Sequence, residues 1–377
     1  MKFQISRTLL LNSINQVAIA ISTRTAIPIL TGIKLEITEE GLTLTGSDSN
    51  ISIESFIPTE TEEHINIENI VPGSIVLQAN IFPQIIRKLP EDTVYIEADD
   101  QLNVSIRSGN AHFNLNGQSA SEYPQLPVVD DENNFAIQAD LLKTLIRQTV
   151  FAVSTMETRP ILTGVQLILE GSKLKFIATD SHRLATKSVT IDQNNADDLT
   201  AVIPGKSLNE LSKILNDDEM INISLTNNLI LFKSESLHFL SRLLDGKYPE
   251  TSRLIPDEEA TTLHVKTNQF IHTIDRASLL ASQDRNQVVK LETKDNNVIE
   301  ISSESLEIGN VVEKVTIKEH TGDPLEISFS AAYMTESLRT IESDEIIITF
   351  SGPMRPFVLK PVNDDSVLQL ILPVRTF

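Results

Sequence analysis

The chain has 377 residues, 40% of them hydrophobic and none cysteine, and a formal net charge of −21. That length and apolar content allow two or three separately cored domains, and the missing thiols exclude disulfide scaffolds, thiol catalysis and cysteine-based zinc sites while fitting a reducing compartment. So acidic a protein would ordinarily avoid nucleic acid, which makes the placement of its 31 basic residues the point to settle.

At the N-terminus Lys2 and Arg7 precede an apolar stretch, a superficial likeness to a secretory signal. Asn12, Ser13, Asn15 and Gln16 interrupt it, and no small-residue cleavage site follows. No window approaches the roughly 18 uninterrupted apolar residues of a membrane span, so a soluble, cytoplasmic protein is expected. Instead Phe3-Gln4-Ile5 alternates as a strand, and Leu10, Ile14, Val17 and Ile21 recur at the spacing of one helix face, predicting a helix within 6–22. Strands are predicted at 33–37 and 42–44. A second helix lies within 78–89, with Pro83 in its opening turn, where a missing N–H is tolerated. An alternating strand at 94–96 and the turn Asp99-Asp100 follow.

The same order then begins again. Pro28-Ile29-Leu30-Thr31-Gly32 recurs letter for letter as Pro160-Ile161-Leu162-Thr163-Gly164, a displacement of 132 residues. Leu9, Leu10 and Ile14 map at that offset onto Leu141, Leu142 and Ile146. The second copy predicts a strand at Phe135-Ala136-Ile137, helices within 138–154 and 205–215, and strands at 165–169, 174–176 and 221–225. The turn Thr226-Asn227-Asn228 follows. A more diverged third copy opens on Leu263-His264-Val265, which at an offset of 128 sets Phe270 on Leu142 and Ile274 on Ile146. That offset sets Val288-Val289 where the other copies have Pro-Ile, and helices within 266–282 and 331–341 and a strand at 346–350 complete the unit. Tyr123-Pro124 and Tyr248-Pro249 mark matching unit ends. A fixed-period echo means copies of one supersecondary unit. The expectation is α+β: three units, 1–128, 129–255 and 256–377, each with two helices and about eight short strands. Short acidic linkers are placed at 129–134 and 257–262.

The six helical segments hold ten basic residues (Arg7, Arg87, Lys88, Lys143, Arg147, Lys206, Lys213, Lys266, Arg276 and Arg339) and four acidic ones (Asp140, Glu210, Asp275 and Glu336). The helices thus carry a surplus of six positive charges, and the rest of the chain carries −27. Helix propensity alone favours Lys and Arg, so part of this enrichment needs no function. The functional reading is a helix-lined surface that contacts the phosphates of a polyanion without reading bases, since no recognition helix or aromatic stacking motif is present.

Several segments carry a resemblance along the whole chain: Met1-Lys2-Phe3 opening onto a helix, Arg24 followed by Pro28-Ile29-Leu30, and Ala178-Thr179-Asp180-Ser181-His182-Arg183-Leu184-Ala185. Asp245-Gly246-Lys247-Tyr248-Pro249 with Arg253-Leu254, and the terminal Leu372-Pro373-Val374-Arg375, continue it in order. In these the chain resembles the bacterial sliding clamp family, the beta subunit of DNA polymerase III. The resemblance implies that two chains associate head-to-tail into a closed ring of six clamp domains, with helices inside and sheet outside. It implies a homodimeric processivity factor that encircles double-stranded DNA and is neither an enzyme nor a cofactor or metal protein. Its partners would be the replicative polymerase, the clamp loader and other proteins bearing clamp-binding peptides, with no membrane involved.

The resemblance further implies a groove for those peptides on the second and third units, formed by Leu162, Thr179, His182, Arg183, Leu184, Pro249, Arg253, Leu254, Leu370, Leu372, Pro373 and Val374. Aliphatic walls and a proline suit apolar anchors, and Arg and His are expected to supply directional donors. Taken singly, Leu162, Leu184 and Leu254 also read as ordinary core. Ser181 stands where the family often has Gly, and Leu372 and Val374 where some members have Met; Thr376-Phe377 extend the tail. The DNA-contact set expected is Arg24, Arg87, Lys88, Lys143, Arg147, Lys206, Lys213, Lys266, Arg276 and Arg339; Arg24 and Lys206 rest on motif matches, the others on helix charge. Ring closure requires edge strands, with 102–107, 111–115 and 304–311 as candidates. The rival classes are an enzyme, for which no Gly-rich phosphate loop, Gly-x-Ser-x-Gly elbow or metal-spaced His pair is found, and a protein-binding repeat scaffold without DNA encirclement.

Overall fold

The computed structural model describes residues 1–127, 129, 134–192, 198–281, 287–305 and 307–375. Residues 128 and 130–133 of the expected first boundary and linker, Ser282 of the fifth helical window, Leu306 of the 304–311 candidate and the terminal Thr376-Phe377 lie outside the described residues. Six α-helices occur among those described: α1 (Arg7–Ala18), α2 (Phe82–Lys88), α3 (Ala139–Arg147), α4 (Gly205–Ile214), α5 (Thr267–Ala281) and α6 (Ala331–Thr340). Each falls inside its predicted window and is shorter than it. No helix among the described residues is long and apolar enough to cross a membrane.

Local chemistry sets the helix ends. Ser6 accepts from the Thr8 and Leu9 amides at 3.2 and 3.5 Å, capping α1. At the other end of the second window, strand Gly73–Gln78 takes up residue 78, and α2 begins only at Phe82, with Pro83 in its first turn. The 138–154 window breaks after Arg147: Thr149 leaves helical geometry at φ −128 and donates its hydroxyl to the Leu145 carbonyl at 2.6 Å. A separate 3₁₀ turn, Val150–Ala152, follows.

The strands number nine, eight and nine in the three sequence units among the described residues, and every pairing is antiparallel. The packing forms two compact units, Met1–Ala139 with Glu210–Leu243, and Asp140–Asn209 with Leu244–Phe377. The first contains a five-stranded and an eight-stranded sheet, the second a nine-stranded and a four-stranded sheet. Phe3, Phe135 and Leu263, which open the three copies, are all buried, as are Leu10, Ile14 and Val17 on the inner face of α1.

The repeated pentapeptide makes the same object twice. Pro28–Thr31 and Pro160–Thr163 are 3₁₀ turns, each closed by its threonine hydroxyl on the proline carbonyl, at 2.8 and 2.7 Å. Gly32 and Gly164 then start strands at positions without room for a side chain: a Cβ would lie 2.5 Å from Val76 Cγ1 and 2.7 Å from Leu244 Cδ1. The third copy departs here. Val288 opens strand Val288–Lys294, the counterpart of Gly164–Glu170, so Val288-Val289 do not occupy the Pro-Ile positions. The distance from helix start to strand start is 21 residues in this copy and 25 in the second.

Each compact unit also contains one strand-to-strand junction between consecutive copies. In the first, strand Ile51–Pro58 pairs with Leu237–Arg242; in the second, Arg183–Thr190 pairs with Val367–Ile371. Both close in the same way, with Arg242 N–H donating to Asn50 O and Leu372 N–H to His182 O, each at 2.9 Å. Of the edge candidates, Ala111–Asn116 is an edge strand. Asn103–Ser108, which holds most of 102–107, lies between two neighbours and is corrected to an interior strand. Window 304–311 spans the turn from interior strand Val298–Ser305 to edge strand Gly309–Thr316.

Candidate functional site

In the second compact unit five of the twelve expected groove residues, Leu162, Thr179, Leu184, Leu370 and Leu372, belong to or frame one apolar cluster. Register explains why: Leu184 sits opposite Leu370, and Leu370 opposite Val358, so three adjacent strands present a row of aliphatic side chains on one face. Leu162 from the 3₁₀ turn, Ile177, Val202 and Tyr248 join that row in a single buried cluster, with Ile161, Leu244, Ile255 and Leu372 packed half-buried at its margin.

Thr179 and Tyr248 hold the cluster's hydrogen-bonded frame. The Thr179 amide donates to Tyr248 Oη at 3.1 Å, and that hydroxyl donates to the Gly164 carbonyl at 3.3 Å. Burial pushes the Tyr248 hydroxyl well above its ordinary value near 10, so the phenol stays protonated. Thr179 Oγ1 donates to the Arg183 carbonyl at 2.6 Å and accepts from the Ser181 amide at 3.2 Å. Asp180 Oδ1 accepts from the His182 and Arg183 amides at 2.9 and 3.0 Å, which tightens the turn. Ser181 has φ +79, the left-handed region in which glycine carries no side-chain penalty.

Arg183 requires a correction. Strand alternation turns it to the face opposite Leu184, where it is 8% exposed. Its guanidinium donates to Asp180 at 3.0 Å, to Glu336 and to the Phe151 carbonyl at 2.6 Å, and stacks 4.6 Å from the Tyr333 centroid and 5.4 Å from that of Phe151. It therefore braces the site from beneath and is not an outward donor. His182 remains exposed, its ring parallel to Tyr333 at 6.4 Å.

The other expected groove residues stand apart from the cluster. Pro249, Arg253 and Leu254 are exposed on the segment after Tyr248; Arg253 is 81% exposed and meets Glu250 at 3.2 Å. Pro373 and Val374 are half-buried, and Val374 N–H donates to Ser328 O at 2.7 Å, which fastens the tail. Sequence reasoning left out Tyr248, Ile177, Val202, Val358 and Tyr333. The repeated Tyr-Pro pair carries a signal for Tyr248; membership of Val358 depends on register, which the local sequence does not encode.

The expected DNA-contact residues divide by partner. Arg24 lies exposed on the loop after α1, and Arg87 and Lys88 are exposed in the last turn of α2, where cations suit the helix dipole. With Lys206 and Lys266, also exposed, they make no ion pair among the described residues. The others are engaged. Arg147 meets Glu342 at 2.6 Å, Lys213 meets Glu210 at 2.8 Å, Arg276 meets Glu313 at 2.6 Å, and Arg339 meets Asp275 at 3.3 Å. Lys143 is engaged as well. Arg7, counted in the helix surplus, spends a donor on the Leu89 carbonyl at 2.8 Å.

Comparison with known proteins adds the following. Sequence profiles of the DNA polymerase III beta subunit match in three consecutive pieces: its N-terminal domain over residues 1–127, its central domain over 136–250 and its C-terminal domain over 252–375. The beta sliding clamp of Bacillus subtilis (strain 168) is 53% identical over 378 residues, covering 100% of both chains. That of Halalkalibacterium halodurans is 48% identical over 381 residues, again covering 100% of both. The crystal structure of the DNA polymerase sliding clamp from Bacillus subtilis superposes with a TM-score of 0.97 at 52% identity, covering 100% of each chain.

Proposed function

The chain belongs to the DNA polymerase III beta subunit family, the beta sliding clamps, and from that premise we propose that it is a processivity factor encircling double-stranded DNA. Two copies close head-to-tail into a ring of six domains, 1–128, 129–255 and 256–377 from each chain. Two edge strands support this closure, Ala111–Asn116 and Gly309–Thr316, with unpaired backbone groups a second copy would satisfy. Phe113, Val312 and Leu279 add exposed apolar surface, Leu279 at 71%.

The observation that carries the DNA reading is the segregation of charge: a helical surplus of positive residues in a chain of net −21. Phosphate contacts from Arg24, Arg87, Lys88, Lys206 and Lys266 are sequence-independent and salt-sensitive, which permits sliding. The Leu184–Leu370–Val358 row, framed by Thr179 and Tyr248, is the anchor site for extended segments of the replicative polymerase, the clamp loader and other partners. The protein acts in the cytoplasm by tethering, without catalysis.

Loading onto nicked circular DNA tests the topology. The protein is expected to remain bound to the circle and to be lost when the circle is linearised; equal retention on both forms would falsify encirclement. Deleting the chain from Leu372 onward should abolish partner-peptide binding while the protein still elutes as a dimer. Unchanged peptide affinity would place the site elsewhere.

A further inference from the structure

Resting on the sliding-clamp reading, we infer that acidic side chains of this protein set how lightly it holds DNA, by neutralising helix cations that would otherwise grip phosphate. In the second compact unit, Arg147 at the end of α3 is held by Glu342, just past α6, at 2.6 Å. Arg339 of α6 is held by Asp275 of α5 at 3.3 Å, with a second contact at 3.4 Å to the other carboxylate oxygen. All four side chains are at least 37% exposed, so the two pairs lie at the solvent surface.

The consequence follows from counterion release. A cation contributes to DNA binding by displacing condensed counterions from phosphate, and each such contact adds about 0.9 to the slope of log affinity against log salt. A guanidinium already paired with a carboxylate must give up that partner first, and its approach carries the carboxylate toward the same phosphate. Arg147 and Arg339 therefore act as neutral wall, and the grip falls to cations without carboxylate partners. Among the described residues Arg87 and Lys88, both exposed in the last turn of α2, are such a pair. The arrangement separates a holding surface from a low-friction one within a single chain. Arg276 and Glu313 repeat the pattern, but Glu313 lies on the edge strand Gly309–Thr316 proposed for ring closure, so it is left out of the test.

The test measures equilibrium binding of a fluorescent linear duplex across a salt titration, using the full-length dimer. Freeing both arginines with Asp275→Asn and Glu342→Gln is expected to steepen the log–log slope by about two per chain and to tighten binding at low salt. In the otherwise unchanged protein, Arg147→Ala with Arg339→Ala should leave the slope as it was, while Arg87→Ala with Lys88→Ala should reduce it by about two per chain. The inference is overturned if the Asn/Gln variant keeps the original slope, or if losing Arg147 and Arg339 lowers the slope as much as losing Arg87 and Lys88. Retention of each variant on nicked circles is scored in parallel. Loss of retention by the unchanged protein refutes encirclement itself, whereas retention with unaltered slopes refutes only the role of the carboxylates.

Discussion

Replacing Tyr248 by Phe removes one hydroxyl and keeps the ring that packs among Leu162, Leu184 and Leu370. The Thr179 amide, in a residue 3% exposed, then loses its acceptor at 3.1 Å, and a buried donor left unpaired costs about 1–3 kcal/mol. The Gly164 carbonyl loses a weaker donor at 3.3 Å, and its cross-strand neighbour Pro204 has no N–H to replace it. A net loss of about 2 kcal/mol is expected, a fall of several degrees in the melting transition. Tyr123, the counterpart at the end of the first copy, donates only a long bond of 3.4 Å to the Thr45 carbonyl. Tyr123→Phe should cost less, about 1 kcal/mol.

Both phenols also predict an alkaline limb. Burial raises their folded pKa, Tyr123 to about 12, so the unfolded chain releases these protons first. The stabilisation is complete below pH 10 and declines above it by about 1.4 kcal/mol per pH unit per tyrosine, until the folded pKa is reached. Calorimetry at neutral pH and at pH values above 10 measures both effects. A Tyr248→Phe protein that melts with the wild type, or one that shows an undiminished alkaline decline, refutes the hydroxyl's assigned role.

Three further expectations concern the frame of the site and of α1. Ser181→Gly should raise stability by about 0.5–1 kcal/mol, because φ +79 strains a side chain that glycine lacks; a loss on thermal denaturation would refute this. Arg183→Ala strands the nearly buried Asp180 carboxylate and should cost about 3 kcal/mol; Arg183→Lys should not rescue it, since an ammonium cannot bridge Asp180, Glu336 and a carbonyl while stacking on Tyr333. Hydrogen bonds from the Ser6 and Thr8 hydroxyls hold the Asp92 carboxyl below its usual range, so its contribution is present above pH 4 and is lost as pH falls below that. Asp92→Ala should therefore cost about 1 kcal/mol at neutral pH and make the acid limb shallower, as read by urea titrations at two pH values.

The sequence by itself determined the tripling, the element order and the helix windows, because these rest on local periodicity and on turn chemistry written in adjacent residues. Pro-Ile-Leu-Thr-Gly is the clearest case: proline starts the turn, the threonine hydroxyl closes it, and glycine fits where a Cβ would clash. That the strand of the third copy opens four residues sooner after its helix was not legible, since an offset matched on Leu and Ile positions tolerates such a shortening. Which residues line the candidate groove was only partly legible. Leu162, Leu184 and Leu370 are joined by Val358 and Val202 through strand register, and register is settled by distant segments meeting. The same alternation turned Arg183 away from Leu184 to the opposite face. Tertiary structure alone decided which helix cations stay open. Arg87 and Arg339 both read as basic residues in the last turn of a helix, yet among the described residues only Arg339 of the two has a carboxylate from another helix within reach. Charge can be counted along a chain, but its neutralisation depends on what folding brings to within a few ångströms.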